Sequence, residues 1–169
     1  MAVLPDVLEP GLKVLFCGTA VSDTSARRGA YYAGPGNKFW QALFDVGLTP
    51  PRILTPQEFK TLPRYGIGLT DLAKMSSGPD RKISRDQYDV PALRKKIERY
   101  RPDALAFNWK KAGAAFLGCK TRDVPYGHQE EVVGTTLIFI LPSTSGSARK
   151  FWNHAFWQEL AEFVKARRS

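Results

Sequence analysis

Only two cysteines, Cys17 and Cys119, and two histidines, His128 and His154, occur among the 169 residues. Two thiols fall short of the four that an iron–sulfur cluster or a four-cysteine zinc site needs, and the histidines stand alone without ligand spacing. No metal and no other cofactor is expected, and Cys17, at the end of an apolar run, reads as a reduced, buried thiol. Long apolar runs are missing as well. Nothing approaches the ~20 residues that span a bilayer, and the N-terminus lacks the basic flank and apolar core of an export signal. A cytoplasmic protein with no membrane partner is expected.

Acidic side chains are in deficit, 16 against 25 lysines and arginines, so the formal net charge is +9. That surplus favours polyanionic partners through phosphate contacts and counterion release, with nucleic acid first among them. A merely basic, soluble protein has the same composition. Internal repeats and linkers are absent, and a 43% hydrophobic content over this length suits one core. A single monomeric domain over residues 1–169 is expected. Three signatures are also missing: G-x-G-x-x-G, a Walker lysine and G-x-S-x-G, which removes the dinucleotide, P-loop and serine-hydrolase readings.

What is present alternates in type. Lys13 to Cys17 predicts a buried strand, and Asn37 to Val46 a helix with Phe39, Trp40, Leu43 and Phe44 on one face and Asn37 as its cap. Thr55-Pro56-Gln57-Glu58 is a capping box that opens a short helix to about Leu62. Gly66 to Leu72 predicts a second strand, and Met75 to Asp89 a surface loop. A helix from Pro91 turns Leu93, Ile97 and Tyr100 inward. Ala104 to Phe107 predicts a strand, Lys110 to Leu117 a helix closed by Gly118, and Thr135 to Leu141 the strongest strand. Trp152, Phe156, Leu160 and Phe163 mark a last helix. Strand, loop and helix in repetition imply an α/β fold, a three-layer α/β/α sandwich on a short central parallel sheet.

In such sheets ligands bind beyond the carboxyl ends of the strands. Three loops reach that edge: Gly18 to Gly36, Asn108 to Lys111, and Ser143 to Arg149. Small residues in the first let backbone N–H groups approach a ligand, Asp23 is its only carboxylate, and Tyr31 and Tyr32 offer flat faces that suit a planar ring. Asp23 also fits a cap or an Asx turn. Asn108 leaves a buried strand directly into the crevice, where its amide can donate and accept, or else cap the helix that follows. Ser143, Ser145, Gly146 and Ser147, with Arg149 and Lys150, supply short donors and charge that suit phosphate oxygens.

Taken in order, these residues resemble the uracil-DNA glycosylases, and most nearly the mismatch-specific uracil and thymine glycosylases. Their first motif, G-I-N-P-G followed by an aromatic and P-x-N-R-F-W, is similar to Gly18-Thr19-Ala20-Val21-Ser22, Tyr32 and Pro35-Gly36-Asn37-Lys38-Phe39-Trp40. Their second, L-P-N-P-S-G or P-S-S-S-A, is similar to Leu141-Pro142-Ser143-Thr144-Ser145-Gly146. The likeness spans about residues 9 to 165.

The resemblance implies hydrolysis of the N-glycosidic bond of deoxyuridine in single- or double-stranded DNA, leaving an abasic site. It implies uracil held by backbone groups near Thr19, by the Tyr32 ring and by Asn108. Ala20 stands where the family's water-positioning asparagine is expected, so Asp23, three residues on, is the candidate for that task. The family's wedge position is Ser147, too small to fill a vacated base stack, which makes Arg149 the candidate. No lysine lies in the first loop, so a monofunctional enzyme is expected. Ala20 also suits an alternative, a DNA-binding module that recognises abasic or damaged DNA without turnover.

Overall fold

Three short runs, Val14–Gly18 (β1), Ile67–Asp71 (β2) and Ala104–Phe107 (β3), are buried along almost their whole length. Such uninterrupted burial is what parallel strands covered on both faces require. The computed structural model, which describes residues 2–167, pairs them side by side and adds Thr136–Ile140 (β5) and Gly127–Val133 (β4) in the order β2-β1-β3-β5-β4. The first four are parallel; β4 runs antiparallel to β5.

Alternation along β1 sends Val14 and Phe16 to one face and Leu15 and Cys17 to the other. The first face is covered by Phe39–Asp45 (α2), by the 3-10 run Pro56–Tyr65 and by His154–Ala166 (α5). The second is covered by Val90–Tyr100 (α3) and Lys110–Leu117 (α4). The result is the expected three-layer α/β/α fold.

Trp157, fully buried, stacks on Phe16 with ring centroids 5.5 Å apart and meets Phe39 edge-on. Burying such a ring contributes roughly 5 kcal/mol. Its indole N–H donates to the Pro142 carbonyl at 3.1 Å, so the same residue that fills the core pins the loop after β5.

Four expectations need correction. The sheet is mixed: β4 was not foreseen because Gly127-His128-Gln129-Glu130-Glu131 is polar, as an edge strand with a bulge between His128 and Val132 can be. The first loop contains a short helix, Asp23–Arg28 (α1), whose cap is Ser22, with its hydroxyl accepting from the Ser25 N–H. The segment from Met75 to Asp89 is partly interior, with two 3-10 turns and with Ile83 and Tyr88 buried.

The buried stripe of α5 is Trp157, Leu160, Ala161 and Val164; Trp152 precedes the helix, and Phe156 and Phe163 pack at the margin. Smaller shifts occur elsewhere. Helix α2 starts at Phe39 rather than Asn37, although Asn37 Oδ1 still accepts from the Phe39 N–H. The 3-10 run beginning with the Thr55–Glu58 capping box extends to Tyr65, and Tyr100 is only half-buried.

Candidate active site

Strand register places three residues in a row at the carboxyl edge of the sheet. Gly18 ends β1 opposite Asp71, which ends β2. Cys17 pairs with Phe107, so Asn108 comes next to Gly18 on the other side. With neighbouring strands about 4.8 Å apart, a carboxylate and an amide flank a residue that has no side chain. A Cβ on Gly18 would sit 3.1 Å from Asp71 Oδ1 and 3.6 Å from the Tyr32 hydroxyl. The missing methyl is therefore space into which an acidic oxygen and a phenol converge.

Both flanking groups are held. Asn108 Nδ2 donates to Thr144 Oγ1 at 2.9 Å and Oδ1 accepts from the Thr144 N–H at 3.2 Å, and the same amide faces the Tyr32 hydroxyl. Asp71 Oδ2 pairs with Lys74 Nζ at 3.2 Å; Lys74 also donates to the Tyr31 hydroxyl at 2.9 Å and pairs with Asp6 at 3.0 Å. Asp6 in turn meets Lys96 at 2.6 Å and accepts from Thr70 Oγ1 at 2.7 Å. Burial raises the Asp71 carboxyl above the ordinary aspartate value, and the Asp6 charge adds to this, against the pull of Lys74. Burial also acts on Asp6, but the Lys96 hydrogen bond and the Lys74 charge hold it below the ordinary value. Burial and the Asp71 charge push the Tyr32 phenol up, partly offset by the Asn108 amide.

The walls come from the two motif loops. Tyr32 takes a left-handed backbone, φ 53°, and lies against Phe39 with centroids 4.0 Å apart. Trp40 Nε1 donates to the Tyr31 carbonyl at 3.2 Å, so the Phe39-Trp40 pair fixes both tyrosines. The Lys38 N–H donates to the Thr144 carbonyl at 2.8 Å and joins the first loop to the last. That junction is close: a Cβ on Gly146 would meet the carbonyl oxygens of Pro35 and Gly36 at 3.3 and 3.4 Å. Gly146 thus serves the contact between loops.

These pieces enclose a cavity of about 490 Å³, in the range of small-ligand sites. Of the residues singled out in the sequence, Thr19, Asp23, Tyr32, Asn108, Ser143, Ser145 and Ser147 line it together. Asp23 is exposed at its rim in the first turn of α1, and Oδ1 accepts from Ser77 Oγ at 3.2 Å. Ser22 does the capping, so the Asp23 carboxylate is not consumed by that turn. The Thr19 hydroxyl donates to Asp80 Oδ1. Arg149 and Lys150 are exposed on the 3-10 turn Gly146–Phe151, outside the cavity wall along with Gly146.

The sequence reading missed Asp71, Asp80, Arg81, Trp109, Thr144 and Phe151, all in the wall. Asp71 had a usable signal, since it leaves a buried strand at the same edge as Asn108. Asp80 and Arg81 lay in a segment read as surface. Among the described residues, no group of three His, Cys, Asp or Glu is placed to hold a metal ion. The arrangement suits a flat ring with carbonyl and N–H groups on its edge, attached to an anionic tail that lies among the cations outside.

Residues 5–165 match the model of the uracil DNA glycosylase superfamily. The fold is similar to that of a candidate uracil DNA glycosylase from Methanosarcina acetivorans, solved by solution NMR. The TM-score is 0.62 and the identity 25%, over 96% of each chain.

Proposed function

Because the chain belongs to the uracil DNA glycosylase superfamily, a group of DNA glycosylases, we propose that it hydrolyses the N-glycosidic bond of deoxyuridine in DNA and leaves an abasic site. In this reading it is a monomeric, single-domain, monofunctional enzyme of base excision repair in the cytoplasm, nearest the mismatch-specific branch.

The row Asp71–Gly18–Asn108 carries the reading. Uracil presents an N–H between two carbonyls, so Asp71 Oδ1 accepts from the ring while the Asn108 N–H that faces the Tyr32 hydroxyl turns to a carbonyl of the base. Lys74, paired with Asp71 from behind, offsets its charge when the base departs as an anion. Backbone groups near Thr19 and the Tyr32 ring complete the pocket, and Ser143, Ser145, Ser147, Arg149 and Lys150 receive phosphates. Asp23, at the rim, favours the oxocarbenium-like sugar and orients water, the task that the Ala20 methyl cannot perform. Extruding the nucleotide costs a few kcal/mol, least where the base is mismatched or unpaired.

Incubation with uracil-containing oligonucleotides tests this. The expected product is alkali-labile DNA without strand breaks before alkali. Asp23→Asn is expected to lower single-turnover release by about 10²-fold or more while DNA affinity stays nearly unchanged. Ala20 favours a second reading, a DNA-binding module without turnover; a wild-type protein that binds DNA but releases no uracil from any substrate would establish it.

A further inference from the structure

One side chain at the mouth of the cavity is hard to account for by folding. Phe151 ends the 3-10 turn Gly146–Phe151 and is 47% exposed, although burying such a ring would stabilise the fold. Its neighbour Trp152 packs against Trp157. Of two consecutive aromatics, one packs against the core, half-buried, and the other is held out.

The turn fixes this choice. Ser145 Oγ accepts from the Ser147 N–H at 3.3 Å, the Ala148 N–H donates to the Ser145 carbonyl, and the Trp152 N–H donates to the Arg149 carbonyl. Phe151 meets half-buried Trp109, the residue after Asn108, at 5.6 Å between centroids and 57° between planes. Rings inclined in this way touch without stacking face to face. Both line the cavity, and cations occur in the same region: Lys150 Nζ lies 5.0 Å from the Phe151 ring centroid, Arg149 is exposed on the same turn, and Arg81 is in the cavity wall.

We propose that Trp109 and Phe151 form a stacking platform for the bases flanking the target nucleotide, and that the preferred DNA is single-stranded or locally opened. This rests on reading the cavity as the site that receives a DNA base. Charge selects a polyanion, and continuity with the base cavity selects the strand that carries the target. Bases in a duplex cover one another's faces, whereas unpaired bases present them to aromatic side chains, the combination of basic groove and stacking surface by which single strands are bound.

The test is fluorescence anisotropy with a labelled oligothymidine lacking uracil, single-stranded and annealed to its complement. Phe151→Ala and Trp109→Ala are each expected to weaken single-strand binding about tenfold, with duplex binding changed less than about twofold. Phe151→Leu, which keeps apolar bulk without a π face, is expected to behave like Phe151→Ala. Stacking is not an ion-release effect, so Phe151→Ala should leave the slope of log affinity against log salt unchanged. Arg149→Ala should reduce that slope by about one.

Phe151 is exposed, so its variants are expected to melt as the wild type does. Wild-type affinity in Phe151→Ala, full recovery in Phe151→Leu, or equal losses on single strand and duplex would each overturn the proposal. Because this oligonucleotide contains no uracil, a chain that binds it through the pair yet excises nothing would refute the enzymatic reading alone.

Discussion

The floor of the cavity and its rim are built by opposite rules. Asp71, Gly18 and Asn108 on the floor are positioned by strand register, and the side-chain partners of the two polar ones, Lys74 and Thr144, are half-buried and buried. Asp23, Phe151, Arg149 and Lys150 stand on short helical turns with exposed side chains. A floor held in this way can read a base edge to a fraction of an ångström, while rim groups can follow a flexible polyanion. Perturbing the floor should therefore damage chemistry, and perturbing the rim of rings and cations should damage capture.

The sharpest way to break this contrast is Gly18→Val. The added side chain fills the space between Asp71 Oδ1 and the Tyr32 hydroxyl. Single-turnover release of uracil should fall by roughly 10³-fold, more than a 1 Å misplacement alone produces, with single-strand affinity nearly unchanged. Parallel losses of affinity and chemistry would erase the distinction between floor and rim.

Asn108→Ala should cost about 10²-fold in the same assay, the scale for losing one buried donor at a developing charge. It also leaves the Thr144 N–H and hydroxyl without their Asn108 partner. A loss confined to affinity would move Asn108 into the class of the rim.

The smallest effect is expected beneath the floor. Asp6→Asn removes the carboxylate between Lys74 and Lys96 and should destabilise the fold by roughly 1–3 kcal/mol at pH 7, between the values for exposed and buried pairs. Asp6 titrates below its ordinary value of 3.8 in the folded chain. Its contribution is accordingly complete above that value and is lost as pH falls through the lower folded one. Chemical denaturation across this range should show the wild type and Asp6→Asn converging only below about pH 4. A difference that persists into stronger acid would mean that packing, and not the ion pairs, holds Asp71 from behind.

Legibility followed the same division. Where burial on both faces forces a continuous apolar run, as in β3, the strand could be read to the residue, and Asn108 could be read as its outlet. Helix α4 and its Gly118 terminator were equally plain, because a glycine after a run of small, helix-compatible residues is a local signal. Strand β4 was hidden: an edge strand needs only Gly127, Gln129 and Val133 inward, and the rest of its sequence is that of a surface. Phe151 and Trp152 illustrate another limit. Hydrophobicity is equal for core and exposed aromatics, and only the path of the turn decides which is which.

By itself the amino-acid sequence determined the layered α/β architecture, the three loops at one sheet edge and the basic surface, because periodicity, caps and net charge are properties of neighbours along the chain. Tertiary structure alone decided that Asp71 joins Gly18 and Asn108 in one row. It also decided that the segment carrying Asp80 and Arg81 closes the cavity and that Phe151 faces outward. Those outcomes depend on register between strands about 50 residues apart or more, and on which of several equally apolar side chains finds room in a close-packed interior.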